Sequence, residues 1–154
     1  PGQPITAQQA MALDYTGQVI SESMRLCPPA WIISRKAIDD DTIDGHLVPA
    51  GSYVFTCPYI LHRHPAHWDN PEGFDPEGFA PDAPSRHSHA MLPFGGGRRK
   101  CIGSHFALLE SRIVLASLLR RLDLSLLPGA RIQPHASVTL RPTGDTRMSA
   151  TPLS

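Results

Sequence analysis

The apolar residues Leu13, Val19, Ile20, Met24 and Leu26 recur at the spacing of a helix that turns one face to a core. Ahead of them, Thr6-Ala7-Gln8-Gln9 has the form of a capping box, in which the Thr hydroxyl and the Gln side chain each accept from a free backbone N–H of the first turn. One helix is expected from this cap as far as Cys27. Pro28-Pro29 ends it, because proline lacks the N–H and biases the residue before it away from helix. From Ile32 to Thr56 the pattern turns to strands. A hairpin-type turn falls at Asp44-Gly45, and Pro49-Ala50-Gly51 makes a second turn before Ser52-Tyr53-Val54-Phe55. Residues 57–98 are dense in Pro, Gly, His and Asp, with one short helix expected near Tyr59 to His62. So long a connection in a compact domain signals a task of its own. The helical period returns from Ile102, with Phe106, Leu109, Ile113, Ala116 and Leu119 or Arg120 along one amphipathic helix. A strand near Leu122 to Leu126 follows. A last hairpin is expected to pair Val138-Thr139-Leu140 with Arg147-Met148-Ser149 around Gly144-Asp145. No internal repeat is present.

Composition narrows the classes. A chain of 154 residues suits one domain, which would bury about two-thirds of its unfolded surface. The 14 Lys and Arg balance the 14 Asp and Glu, so the basic face of a nucleic-acid binder is not expected. With 16 Pro and 12 Gly the chain exceeds their usual joint share of about 12%, which favours stiff irregular stretches over a helical bundle. Cys27, Cys57 and Cys101 are far apart and form no CxxC pair. That count fits a reducing compartment, and a cytoplasmic location is expected. No apolar run reaches the ~20 residues of a membrane span; the longest, Phe106 to Leu119, is interrupted by Glu110 and Arg112. The chain begins at Pro1 with neither an initiator Met nor a signal-like segment, so a piece of a longer protein is expected, with an upstream membrane anchor left open.

The richest chemistry lies in Pro93-Phe94-Gly95-Gly96-Gly97-Arg98-Arg99-Lys100-Cys101-Ile102-Gly103. Three successive glycines permit positive φ and the close approach of a flat partner. Arg98, Arg99 and Lys100 precede a single cysteine at the start of a helix, a setting of cations and helix-end N–H groups that suits a metal-binding thiolate. The competing account is a small buried residue at a helix start; the glycines and arginines beside Cys101 weigh against it. Two rivals for other features are weaker. The run His62-Arg63-His64-Pro65-Ala66-His67 and His87-Ser88-His89 suggest zinc, but no cysteine or carboxylate pattern completes four ligands. The glycines lack the GxxxxGK[ST] form of a phosphate loop.

Phe94-x-x-Gly97-x-Arg99-x-Cys101-x-Gly103, ten residues with five fixed, resembles the haem-binding signature of the cytochrome P450 family. The continuation through Phe106, Ala107 and Glu110 is similar to that family's proximal helix. Glu22-Ser23-Met24-Arg25 places a carboxylate and a guanidinium at i and i+3. Alone this is an exposed pair worth under ~1 kcal/mol, but followed by Leu26-Cys27-Pro28-Pro29 it resembles the ExxR helix of the same family. A third match runs in order through Gly45 to Gly51, Leu61-His62-Arg63-His64-Pro65, Trp68 and Pro71 to Phe79. One position departs: Gly78 stands where the family usually carries an arginine that joins the ExxR pair. This puts the stability of the meander in question unless a cation such as Arg63 or Arg86 compensates.

The resemblance implies a mainly α fold with small β-sheets (α+β), the C-terminal third only of a P450 domain: two principal helices, small mixed sheets and a long ordered meander. Its parts would be the ExxR helix region (1–27), strands (32–56), meander (57–93), cysteine ligand loop (94–103), proximal helix (102–121) and C-terminal strands (122–154). It implies haem b as cofactor with Cys101 as axial thiolate. Phe94 would pack by the sulfur, Gly97 shape the loop, Arg99 meet a propionate, and N–H groups near Gly103 donate to the sulfur. Arg35 would be a second propionate partner or else a solvated strand arginine. Glu22 and Arg25 would be a buried structural brace, with no catalytic residue in this piece. Ala30, Trp31, Ile32 and Ile33, with Thr146, Arg147 and Met148, would line the substrate side or else pack as plain core. The implied activity of the parent protein is insertion of one oxygen atom into a small apolar organic substrate, with electrons from a ferredoxin or flavin reductase. Arg98, Lys100, Arg112, Arg120 and Arg121 are placed to attract such an acidic partner or to form a solvated face. The alternative is a truncated, non-catalytic piece that keeps the haem-binding signature without turnover.

Overall fold

The computed structural model describes residues 3–153. Thr6 caps the first helix as its sequence predicts: its hydroxyl accepts from the Gln9 N–H, and the Gln9 side chain accepts from the Thr6 N–H. The expected single helix is two. Helix α1 (Ala7–Met11) stops after five residues, and α2 (Asp14–Leu26) starts after a break at Ala12–Leu13. Leu13 takes a non-helical conformation there, and α2 ends at Cys27 before the two prolines.

Eight short strands follow the first helices and flank the last. Strands β1 (Ile33–Lys36) and β4 (Tyr53–Thr56) pair antiparallel, with Ile33 opposite Thr56. Between them β2 (Asp41–Ile43) and β3 (His46–Val48) form a tight hairpin. Asp44 and Gly45 turn it with φ of 49° and 78°, the paired positive values that a two-residue turn requires. A one-turn helix, α3 (Pro58–Leu61), begins the meander with Pro58 in its first turn, where the missing N–H costs nothing. Helix α4 (Ser104–Leu119) lies against both α1 and α2.

The last strands differ from expectation. β5 (Leu122–Leu126) pairs with β8 (Met148–Pro152), and nested between them β6 (Ile132–Ala136) pairs with β7 (Leu140–Gly144). Gly144 is therefore a strand end, not a hairpin tip, and the tip lies at 137–139. Val138 and Thr139, expected in a strand, fall in that tip, and Arg147 lies outside the strands. The expected mixed sheets are likewise four antiparallel pairs among the described residues.

The core holds an unusual cargo. Its largest fully buried side chains include Arg25, His62 and Glu22, beside a small apolar set of Ala10, Ile20, Trp68, Ala90 and Ala116. Arg25 Nε and Nη2 donate to the two Glu22 carboxylate oxygens at 2.6 and 2.7 Å, a bidentate pair. The remaining donors go to main chain: Nη1 to the carbonyls of His62 (3.0 Å) and Pro71 (2.7 Å), and Nη2 to that of Gly73 (2.6 Å). Glu22 Oε1 also accepts from the Asp75 N–H at 2.7 Å. The guanidinium lies 4.9 Å from the Trp68 ring centre. Both partners are 1% exposed, so the pair is internal and holds residues 62–75 to α2. Breaking it by Glu22→Ala is expected to cost ~3–5 kcal/mol by leaving the guanidinium buried without its counter-ion. Chemical unfolding of the two proteins measures this, and a loss below ~1 kcal/mol would show an ordinary surface pair.

Candidate functional site

The loop before α4 is shaped by three backbone features. Gly95 and Gly97 hold φ of 70° and 64°, where a side chain would be strained. A short 3-10 turn at Gly97–Arg99 follows. The Cys101 N–H then donates to the Phe94 carbonyl at 2.9 Å, which folds the loop back and seats the exposed Cys101 beside Phe94. At Gly103, where α4 is capped, an added Cβ would stand 3.9 Å from the Cys101 sulfur, so the helix start lies directly beneath the thiol.

This loop forms one wall of a cavity of about 370 Å³. The cavity gathers Cys101, Phe94, Arg99, Arg35, Ala30 and Ile33, residues from two separate stretches. Its walls are mostly apolar, with one thiol and two guanidinium groups. Among the described residues neither arginine has a carboxylate partner; Arg35 donates only to the neighbouring Ser34 carbonyl. Two unpaired cations beside an apolar space and a thiol fit a flat, apolar, metal-bearing dianion. A larger apolar groove of about 550 Å³ runs between α2 and α4 on the far side of Phe94, but no charged side chain lines it.

The structure distributes the remaining expected residues differently. Gly97 and Gly103 shape the loop without lining the cavity. Trp31 and Ile32 do not line it either; the Trp31 indole N–H donates to the Ser137 carbonyl at 2.8 Å, and Ile32 is 39% exposed. Arg147 and Met148 lie away from the cavity, Arg147 in an exposed ion pair with Asp145 and Met148 opposite Leu126 in the β5–β8 pair. In their place stands Thr139, at the tip of the β6–β7 hairpin. That tip is drawn in because the Leu140 N–H donates to the Pro29 carbonyl at 3.0 Å. Met24 and Pro29 also line the space. No sequence spacing marks Thr139; only the docking of the hairpin does.

Behind the loop sits His62, fully buried. The Leu92 N–H donates to its Nε2 at 2.7 Å, so Nε2 is the unprotonated nitrogen and Nδ1–H faces the Arg25 carbonyl at 3.3 Å. The ring thus links the end of α2 to the residue preceding Pro93 and Phe94. Burial, aided by the Arg25 and Arg63 charges, pushes its pKa down to about 4 against the opposition of hydrogen bonds to the Arg25 and Met24 backbone. The other histidines do not make a metal site: among the described residues no three His, Cys, Asp or Glu side chains are arranged to hold an ion.

These features have counterparts in known proteins. The cytochrome P450 family model matches residues 1–146. Cyclooctatin synthase of Streptomyces melanosporofaciens is 38% identical over 141 residues, 91% of this chain and 30% of that protein. A putative cytochrome P450 132 of Mycobacterium bovis is 40% identical over 137 residues, 89% of this chain and 30% of that relative. The crystal structure of the cytochrome P450DA heme domain superimposes with a TM-score of 0.91 at 30% identity, covering 100% of this chain and 34% of that one. The chain belongs to the cytochrome P450 family. It has that family's α+β fold over the C-terminal part, and spans about 30% of the length of the curated relatives it matches. No helix among the described residues is long and apolar enough to cross a membrane.

The lowered pKa of His62 makes the support of this loop sensitive to acid. Neutral His62 contributes fully above its ordinary pKa of 6.5, and the contribution falls as pH drops towards about 4, where the folded protein takes up the proton. The full effect is on the order of 3 kcal/mol. Stability measured from pH 7 to 4 should decline more steeply in the natural protein than in His62→Gln, which has no proton to gain. Parallel pH profiles for the two would refute this account.

Proposed function

We propose that the natural protein carrying this chain is a haem-thiolate monooxygenase, and that Cys101 is the thiolate. The observation that carries this is the convergence of Cys101, Arg35 and Arg99 on one apolar cavity that Phe94 also lines. Haem b, when bound there, supplies the iron chemistry that activates oxygen. The chain's own residues bind and orient it. Arg35 and Arg99 offer charge-assisted hydrogen bonds to its two carboxylates. Phe94 and the glycine loop flank the sulfur, and the N–H groups at the start of α4 temper the sulfur's charge. Ala30, Ile33 and Thr139 present a mostly apolar wall to a small organic substrate.

Electrons arrive from a ferredoxin or flavin reductase. Exposed Arg98 and Lys100, with Ile102 and Phe106 beside them at 102% and 69% exposure, form a basic and apolar surface on the sulfur's side of the site. Arg112 takes no part in it. It tucks its guanidinium against Gly17 of α2 and donates to the Met11 sulfur.

Cys101→Ser in the natural protein should abolish the red-shifted Soret band of the reduced, CO-treated sample, whereas Cys27→Ser and Cys57→Ser should leave it. Retention of that band without Cys101 would remove the central claim. The 154-residue chain alone, reconstituted with haem and a reductase, should give no substrate-dependent oxygenated product above that of free haem. Its cavity lies open to water, and apolar groups left in water lose ~25 cal/mol per Å². Coupled turnover by this chain would overturn that expectation.

A further inference from the structure

Arg86 occupies a place that local sequence does not explain. Its Nη1 donates to the Gly78 carbonyl at 2.7 Å and its Nε to the His67 carbonyl at 3.2 Å. Its guanidinium lies 4.5 Å from the centre of the Trp68 ring, the same ring that Arg25 covers at 4.9 Å. No ion pair among the described residues includes Arg86. The carbonyls it holds lie on either side of the segment that Arg25 and Glu22 hold from within, at Pro71, Gly73 and Asp75. Arg25 and Arg86 together thus clamp residues 67–78 around Trp68, which is 5% exposed.

Gly78 stands directly against this cation. A Cβ added there would meet Arg86 Nη2 at 3.5 Å, and beyond it only Asp75 Oδ2 at 4.0 Å. Gly78 is not among the positive-φ glycines, so its backbone accepts any L side chain. A small cavity of about 70 Å³ lies here, bounded by Glu22, Arg25, Trp68, Asp75, Gly78 and Arg86. A side chain leaving position 78 therefore enters the space that the Arg86 guanidinium fills.

We propose that Arg86 is a positioning residue for the Glu22–Arg25 brace, and that positions 78 and 86 are an exchangeable pair, with one guanidinium delivered to the Trp68 face from either position. The claim rests on the geometry of the brace and is independent of what the cavity at Cys101 binds. Glycine at 78 leaves the space open, and arginine at 86 enters it from further along the chain.

A double-mutant cycle in the full natural protein tests this, with the thermal midpoint and the yield of soluble folded protein as readouts. Arg86→Ala removes two charge-assisted hydrogen bonds and should lower the midpoint by about 5 °C. Adding Gly78→Arg to Arg86→Ala should restore it to within about 2 °C of the natural protein. The same Gly78→Arg change in the presence of Arg86 should gain nothing, since two guanidinium groups would compete for one space. If Arg86→Ala alone fails to fold, recovery of soluble protein in the double variant supports the exchange. An unchanged midpoint in Arg86→Ala, a double variant no better than Arg86→Ala, or equal effects of Gly78→Arg in both backgrounds would each overturn it.

Discussion

A buried guanidinium must find an acceptor for nearly every N–H it carries, because each one left unmet in a dry interior is costly. Arg25 meets that demand with one carboxylate, from Glu22, and with main-chain carbonyls of His62, Pro71 and Gly73. The rest of the structure depends on this arrangement. The meander has almost no regular secondary structure to satisfy its backbone, so its carbonyls are free to serve as those acceptors. One charge thereby shapes a segment that no ladder of hydrogen bonds could.

The same centre reaches the cysteine loop through His62. Its carbonyl belongs to the Arg25 cluster and its ring receives the Leu92 N–H, two residues before Phe94. A short chain of polar contacts therefore runs from Glu22 through Arg25 and His62 to the loop that presents Cys101. A neutral imidazole suits this position. It donates on one side and accepts on the other, as the two neighbouring backbone groups require.

The cavity itself is assembled from loops and strand ends rather than from one element. Phe94, Arg99 and Cys101 come from the loop before α4, Ala30 and Ile33 from the turn after α2 and the start of β1, and Thr139 from a distant hairpin tip. Such a site gains its chemistry from short loops and its precision from what holds them. Here the holding is done by the buried polar cluster on one side and by the hairpin's hydrogen bond to Pro29 on the other.

Much of this was legible in the residues themselves. The capping box at Thr6, the Asp44-Gly45 turn, the proline stop after α2 and the length of α4 are local, because a few neighbouring side chains and φ preferences decide them. The spacing around Cys101 and the Glu22-x-x-Arg25 pair likewise identified the family, since thiol, glycine and guanidinium stand at fixed intervals there. The tertiary structure alone decided what depends on distant chain segments. The break at Ala12–Leu13 and the nested pairing of β5 with β8 are choices among locally equal alternatives. Thr139, rather than Arg147 or Met148, lines the cavity because a hairpin tip happens to be tied to Pro29. Burial turned an i, i+3 pair that would be weak in water into the anchor of the meander. His62, one of eight histidines in the sequence, became a structural junction only because folding removed it from solvent. Sequence spacing records which groups can interact; only the folded chain sets how much water stands between them, and that decides which interactions matter.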